Sequence, residues 1–222
     1  LCFLYLGSGI FLLFEKDNVA VNSPGPSNTL GAVLLQAQSD KSILTVLILT
    51  PVYNIFVLPY LALIALIFLE NFKTTESLAA SLASVEGAGA VVGGIFISSI
   101  PVSRPRRIFV SSTAFFLVLL VLISNSPFII GLIGMLFLAG MLSSIYSSMQ
   151  STLIYQNSSE DLRSPTLSLM TLFIGTGIIG ALNVSWMGLH LTVSNVITIM
   201  AIEGLVVFLL IILVLRHLKY NS

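Results

Sequence analysis

The sequence contains few charged residues: Lys, Arg, Asp and Glu together make up 8% of its 222 positions. An ordinary soluble domain has about 25%. Hydrophobic residues make up 56% of the chain, and the mean hydropathy is +1.06. So little charge excludes an ordinary water-soluble domain. The nine basic residues are balanced by nine acidic ones, so the chain also lacks the net positive charge that would favour binding to nucleic acid.

Cysteine is nearly absent, since Cys2 is the only one in the chain. One cysteine cannot form an intramolecular disulfide, and it offers no thiolate cluster for zinc or iron and sulfur. The sequence also has no recognisable Ser/His/Asp arrangement, phosphate-binding glycine loop or metal-ligand spacing. It therefore predicts no enzyme, no metal site and no cofactor.

Long apolar runs, in contrast, fill most of the chain. A helix needs about 20 mostly apolar residues to cross a bilayer, and the runs are too long and continuous for the alternating strands of a barrel. Hydropathy and chain breakers predict six spanning helices, at about residues 43–69, 77–100, 108–124, 127–152, 165–186 and 193–215. The sequence thus predicts an all-α membrane protein.

The remaining residues are predicted to connect or flank these spans. Residues 1–14 are apolar and are predicted to be the end of a further spanning helix, and residues 15–42 are predicted to be a central loop. Within that loop, Leu30 to Gln38 could form a short helix at the membrane surface. Residues 43–217 then form the six-helix bundle, and residues 218–222 form a tail.

Basic residues predict how the helices are oriented. If the spans alternate in direction, eight basic residues fall on one side of the membrane and Lys73 alone falls on the other. The eight are Lys16, Lys41, Arg104, Arg106, Arg107, Arg163, Arg216 and Lys219. The positive-inside rule places them in the cytoplasm, together with the central loop and the C-terminus.

One acidic residue, Glu86, lies inside the predicted span 77–100, among small and apolar residues. At 1.5 Å per residue it is about 4 Å from the middle of that span, where a charge costs roughly 2.5 to 3.5 kcal/mol on insertion scales. By default such an acid is a functional candidate, here a proton-coupling or cation-binding group that faces a cavity. The alternative is a protonated glutamate that is hydrogen-bonded to a neighbouring helix.

Glycines near this acid predict close helix packing. Gly89 and Gly93 are four residues apart, and such a GxxxG face lets two helix backbones approach closely. Packing is therefore the expected main role of these two residues.

Two stretches resemble one family of membrane proteins. SVEGAGAVVGGIFISSIPVSRPRR is similar to the eighth helix of a major facilitator superfamily transporter and the basic turn that follows it. LRSPTLSLMTLFIGTGIIGALNVSW is similar to the eleventh helix after its loop. Nearly the whole chain resembles the C-terminal half of such a transporter, most of all the branch of enterobactin exporters and macrolide efflux proteins. The resemblance implies a six-helix bundle of major facilitator type, preceded by the end of the sixth helix.

The same resemblance implies where a substrate cavity would be. In the family the cavity is walled by helices seven and ten, which correspond to the predicted spans 43–69 and 127–152. The polar and aromatic candidates on these spans are Tyr53, Asn54, Tyr60, Tyr146 and Gln150. Ordinary hydrogen bonding between helices is the alternative for each of them. Pro51 and Pro59 are expected to kink the first of these spans.

The arginines of the basic turns have two possible roles. Arg104, Arg106 and Arg107 could anchor their turn to anionic headgroups or form a cytoplasmic gate with the other half of the transporter. Arg163 is a candidate for the same roles in the loop before helix eleven. Glu203 is in the last predicted span, which the resemblance places away from the cavity, so we expect it to be structural.

The sequence supports two hypotheses for function. The first is a secondary active transporter that exports an amphipathic small molecule, such as a drug or a siderophore, against proton entry by alternating access. Its partners would be the lipid bilayer, the substrate, protons and an N-terminal half, in a bacterial cytoplasmic (inner) membrane. The alternative is a non-transporting scaffold or sensor that keeps the fold. The basic turns depart from the family pattern, with Arg-Ser-Pro at residues 163–165 where Arg-Gly-Arg is common, and this favours the alternative.

Overall fold

The computed structural model describes the backbone of residues 26–220 and the side chains of residues 30–215. Several sequence predictions fall outside this range. They concern the helix end at 1–14, the loop residues 15–25 including Lys16, the tail residues 221–222, and the side chains of Arg216 and Lys219.

All regular secondary structure in the described residues is helical. The ten α-helices are α1 (Pro26–Ser39), α2 (Lys41–Phe56), α3 (Ile64–Phe72), α4 (Glu76–Ala83), α5 (Val85–Ser99), α6 (Pro105–Ser124), α7 (Ile129–Asn157), α8 (Glu160–Ile174), α9 (Gly177–Gly188) and α10 (Val193–Tyr220). A short 3₁₀ segment, Leu58–Ala62, connects α2 to α3.

These helices form six segments that are long and apolar enough to cross a membrane. In chain order they are Lys41–Ala62, Glu76–Ser99, Pro105–Ser124, Ile129–Asn157, Glu160–Gly188 and Val193–Leu215. The prediction of an all-α membrane protein with a six-helix bundle is confirmed, and each predicted span overlaps one of these segments. The chain is therefore an integral membrane protein.

The starts of three helices, α2, α6 and α10, are defined by particular residues and contacts. Asp40 accepts hydrogen bonds from the backbone N–H groups of Ser42 and Ile43, at 2.6 and 3.1 Å, and so satisfies two free donors at the start of α2. Pro105 occupies the first turn of α6, where its missing N–H costs nothing. The carboxylate of Glu70, near the end of α3, accepts a bond from the N–H of Val193 at the start of α10. These contacts fix where the helices begin.

Three of the six segments are interrupted within their length. The first changes from α-helix to 3₁₀-helix at Val57, just before Pro59, which lacks the N–H that would continue the helix. The second is interrupted at Ser84 and the fifth at Gly175 and Thr176. The kink expected at Pro59 is thus present, whereas Pro51 lies within α2 without ending it.

Close packing of α5 against α7 depends on glycines from both helices. A Cβ on Gly89 would overlap the backbone of Phe137, and a Cβ on Gly93 would lie 2.6 Å from the Cα of Met141. In return, Gly140 of α7 lies against the backbone of Glu86. The predicted packing face therefore exists. Its partner is α7 of the same bundle.

Helix α2 lies at the centre of the bundle, where it contacts α6, α7, α8, α9 and α10. Helix α1, in the region predicted to be a loop, places Val33 and Ala37 against α2 and α8 and leaves Leu30, Leu34 and Leu35 exposed. The second and fifth segments are the least buried of the six. Much of their apolar surface is therefore free to contact lipid or another bundle.

Candidate functional site

A group of stacked aromatic rings lies in the middle of the bundle. The rings of Tyr53 in α2 and Tyr146 in α7 are parallel within 10°, with centroids 3.8 Å apart. Phe109 of α6 stacks on Tyr146 at 4.8 Å. Phe116, about two turns further along α6, meets Tyr53 and Tyr60 edge-on, with both centroid distances 5.5 Å. Offset and edge-on pairs of this kind are favourable, so the group ties α2, α6 and α7 together.

Polar side chains continue from this aromatic group toward the start of α2. The amide Nε2 of Gln150 donates to Thr50 Oγ1 at 2.7 Å and lies 3.4 Å from the Tyr146 hydroxyl oxygen. The amide of Asn54 donates to the backbone oxygen of Thr50 at 2.8 Å, within its own helix. Thr50 Oγ1 in turn donates to Val46 O at 2.7 Å. Buried polar atoms are thus paired in a short network between α2 and α7.

The five residues predicted to line a cavity are all buried in this conformation. Their exposed fractions lie between 1% and 6%. Tyr53, Tyr146 and Gln150 form one connected group, Tyr60 joins it through Phe116, and Asn54 joins it through Thr50. The structure thus brings these residues together as a packed polar and aromatic group, and they do not line an open cavity.

Glu86 meets the far end of this group. Its carboxyl group faces the Tyr60 hydroxyl, yet the hydroxyl makes no well-formed hydrogen bond with any described residue. Tyr60 is 1% exposed, so water does not reach the hydroxyl from outside the bundle. A buried hydroxyl without a well-formed hydrogen bond thus lies beside a half-buried acid in the membrane-spanning part of the described chain.

Two of the three interrupted segments meet at this acid. Tyr60 belongs to the 3₁₀ segment of the first, and Glu86 comes two residues after the interruption of the second. The third interruption lies against the first segment, since a Cβ on Gly177 would lie 3.3 Å from Leu58 Cδ2 and 3.4 Å from Asn54 O. The Glu86–Tyr60 pair therefore joins two segments at points where their α-helices are interrupted.

The surroundings of Glu86 contain no cation among the described residues. The described chain also holds no group of three or more His, Cys, Asp or Glu side chains suited to a metal ion. Glu86 lies in the first turn of α5, where the positive end of the helix dipole faces a carboxylate. This end of α5 and the Tyr60 hydroxyl are the groups beside the acid that favour a negative charge on it.

The second mid-membrane acid, Glu203 of α10, differs in having a partner. Asn183 of α9 donates to its Oε2 at 3.1 Å. Both residues lie at a cleft of about 610 Å³ between α2, α9 and α10. The contact joins two neighbouring helices, as expected of a structural acid.

The predicted anchoring arginines separate into two places. Arg104, Arg106 and Arg107 line a pocket at one end of the bundle. Arg163 lies elsewhere, with its guanidinium carbon 5.6 Å from the centre of the Tyr155 ring. The arginines therefore do not act as one cluster in this structure.

Sequence reasoning missed four residues of these groups: Thr50, Phe109, Phe116 and Asn183. The phenylalanines and Thr50 carry no signal that separates them from ordinary core residues. Asn183 did have one, because an amide inside an apolar span needs a partner, and Glu203 was the nearest candidate at the same depth.

The chain matches no protein-family model, no curated protein and no solved structure. The fold and the site therefore define only a class. It is an integral membrane protein whose six-segment helical bundle contains, among the described residues, a mid-membrane acid beside the interruption of its own helix and beside a buried tyrosine hydroxyl.

Proposed function

We propose that this chain is the C-terminal half of a secondary active transporter of major facilitator type. It would export an amphipathic small molecule in exchange for protons. One observation supports this proposal most, namely the Glu86 carboxyl group beside the unpaired hydroxyl of Tyr60. No covalent chemistry is part of the proposed activity.

The energetic cost of Glu86 inside the membrane depends strongly on whether a proton or a cation is bound to it. An ionised carboxylate is costly at the depth of Glu86, and the described residues give it no cation. Binding of a proton or of a cationic group of a substrate removes that cost. The Tyr60 hydroxyl can donate to the carboxylate or accept from its protonated form. The pair is therefore suited to exchange a proton for a substrate.

Interrupted helices support a moving site. Discontinuous membrane helices commonly form transporter binding sites near the bilayer midplane. Here Tyr60 and Glu86 both lie beside interruptions, a third interruption packs against the same segment as Tyr60, and the aromatic group next to them is packed shut. We infer that this conformation is a closed one and that rocking of the bundle opens the site to a substrate.

The partner in this mechanism would be an N-terminal half. The second segment, which carries Glu86, and the fifth segment are the least buried of the six. Their exposed apolar side chains, among them Val91, Ile95, Leu172 and Leu182, provide a surface for a second bundle. We propose that the two bundles alternate access between them, in a bacterial cytoplasmic (inner) membrane.

Orientation follows from the basic residues. Lys41, Arg104, Arg106, Arg107 and Arg163 lie at or near the end of the bundle where α2, α6 and α8 begin, and Lys73 follows α3 at the opposite end. We propose that the end where α2, α6 and α8 begin faces the cytoplasm.

The test compares Glu86→Gln with Glu203→Gln in the full-length protein. Both changes remove one mid-membrane carboxyl group, but only Glu203 has a well-formed hydrogen bond, from Asn183 of the neighbouring helix. Cells with equal amounts of each variant would be loaded with ethidium or with a catecholate siderophore, and the efflux rate measured with and without a proton gradient. We expect Glu86→Gln to abolish gradient-driven efflux and Glu203→Gln to retain most of it.

Other outcomes would change the proposal. If both variants export as well as the unchanged protein, Glu86 is a structural acid and the coupling group is elsewhere. If the unchanged protein exports neither probe and a wider panel of amphipathic compounds gives the same result, the non-transporting hypothesis replaces transport.

A further inference from the structure

A pocket of about 900 Å³ lies at one end of the bundle, away from Glu86. It is formed where α2 and α6 begin and where α7 and α10 reach the same end. The pocket is therefore placed at the level of the lipid headgroups.

The mouth of this pocket is cationic. Arg104, Arg106 and Arg107 line it, and its lining contains no Asp or Glu. The Nε of Arg106 donates to Thr45 Oγ1 at 2.9 Å, which fixes the direction of the guanidinium group. Arg106 is thereby held by a neutral partner, and its positive charge remains available to an anion.

The start of α6 adds to this charge. Arg104 is the N-cap of α6, and no side chain caps the N-terminus of the helix. Free N–H groups and the positive end of the dipole favour an anion at such a terminus. The three arginines and the helix end thus attract an anion to the same place.

The inner wall of the pocket is apolar. It is built from Val110 and Ala114 of α6, Leu153 of α7, and Phe208, Ile212 and Leu215 of α10. Since α6 and α10 cross the membrane, this wall continues from the headgroup level toward the hydrocarbon core. A free phosphate ion would contact only the mouth and leave the wall empty.

We propose that the pocket binds one anionic phospholipid, with its phosphate at the arginines and an acyl chain along α10. Charge complementarity selects the anionic headgroup, and the apolar wall selects a lipid over a soluble phosphate. Basic pockets between membrane helices on the cytoplasmic side are known to accept such headgroups. The inference uses none of the residues of the proposed transport site.

The experiment measures lipid binding to the full-length protein in detergent by native mass spectrometry. The probes are phosphatidylglycerol, phosphatidylcholine and inorganic phosphate, each titrated separately. We expect phosphatidylglycerol to bind more tightly than phosphatidylcholine, and Arg106→Gln to weaken its binding about fivefold. A triple change of Arg104, Arg106 and Arg107 to Gln should remove the preference altogether.

Two further variants separate a pocket from general surface charge. Lys41→Gln removes an exposed cation at the same end of the bundle but outside the pocket lining, and it should change binding less than Arg106→Gln does. Ala114→Phe keeps every charge but fills the apolar wall, and it should also weaken phosphatidylglycerol binding. Because this variant keeps all three arginines, it remains informative if the triple variant does not fold.

The proposal fails if Arg106→Gln and Ala114→Phe both bind phosphatidylglycerol as the unchanged protein does. It also fails if Lys41→Gln has the same effect as Arg106→Gln, since this would indicate attraction to surface charge alone. Tight binding of inorganic phosphate, equal to that of phosphatidylglycerol, would show that the mouth recognises a soluble anion and would overturn the assignment to lipid.

Discussion

At the scale of single residues, the membrane interior of this protein contains both paired and unpaired polar groups. Gln150 reaches Thr50 across the interface between α2 and α7 at 2.7 Å. The Tyr60 hydroxyl, equally buried, has no well-formed hydrogen bond among the described residues. A paired group contributes to stability, whereas an unpaired one costs about 1–3 kcal/mol of desolvation. The two residues should therefore respond differently to removal of their polar atoms.

We predict that Tyr60→Phe leaves the free energy of unfolding unchanged or raises it slightly, because the lost hydroxyl has no described partner. Gln150→Leu should lower it by about 0.6 to 1.7 kcal/mol, the range found for hydrogen bonds between membrane helices. Unfolding of the full-length protein in mixed micelles, followed by circular dichroism, measures both values. A loss in Tyr60→Phe as large as that in Gln150→Leu would show that the hydroxyl is paired after all.

At the scale of elements, the contact between α5 and α7 is the closest in the bundle, because backbone meets backbone at glycines. Gly140 has no room for a side chain, since a Cβ there would overlap the carbonyl oxygen of Glu86. Backbone atoms cannot move aside as flexible side chains do. The same contact fixes the position of the Glu86 backbone, so this helix pair also positions the candidate site.

We predict that Gly140→Ala lowers the free energy of unfolding by about 1–3 kcal/mol or more, since 1–3 kcal/mol is the usual cost of overpacking. Gly134→Ala is the matched control, because Gly134 is in the same helix and has no atom within 4 Å of an added Cβ. The control should be neutral or slightly stabilising, as alanine favours helix more than glycine does. Melting temperatures of the two variants provide the comparison, and equal melting temperatures would contradict the close contact.

The interrupted segments belong to the same scale. Two of the interruptions follow from local chemistry, with Pro59 after α2 and Gly175 after α8. At Ser84 no proline or glycine is present. Its hydroxyl donates to the backbone oxygen of Ser81 at 2.6 Å, a bond that competes with the helix ladder.

At the scale of the whole molecule, α2 is surrounded by other helices, whereas the second and fifth segments are largely exposed. The exposed apolar surfaces of the second and fifth segments can contact lipid or a second bundle. The basic residues add a second asymmetry, since most of those described lie at one end. These two asymmetries are the basis of the orientation and of the side for a partner half that we propose.

We predict that the end carrying Arg104 faces the cytoplasm. Ser103 and His190 are exposed and lie in the connections at opposite ends of the bundle. In the full-length protein with Cys2 changed to Ser, Ser103→Cys should resist a membrane-impermeant maleimide in intact cells, and His190→Cys should react. Both should react after the cells are permeabilised. The reverse pattern would contradict the orientation proposed from the basic residues.

Much of the architecture could be predicted from the sequence because the bilayer imposes a simple requirement. Every spanning backbone must satisfy its own hydrogen bonds, so length and hydropathy alone indicate helices and their number. The six spans, the kink at Pro59 and the glycine packing face of α5 depend on local composition, and each is present in the structure. The ends of the helices were predicted less accurately than their number, because α3, α7 and α8 extend beyond the apolar runs through capping and surface residues.

What the sequence by itself determined is thus the class of protein, the number of spans, and an acid placed deep in the membrane. Which residues meet was decided only by the tertiary structure. The stacking of Tyr53 on Tyr146, the pairing of Asn183 with Glu203, and the meeting of Tyr60 with Glu86 join residues that are from 20 to about 90 positions apart. Helical periodicity specifies a face within one helix, but the choice of neighbouring helix depends on how all six pack together.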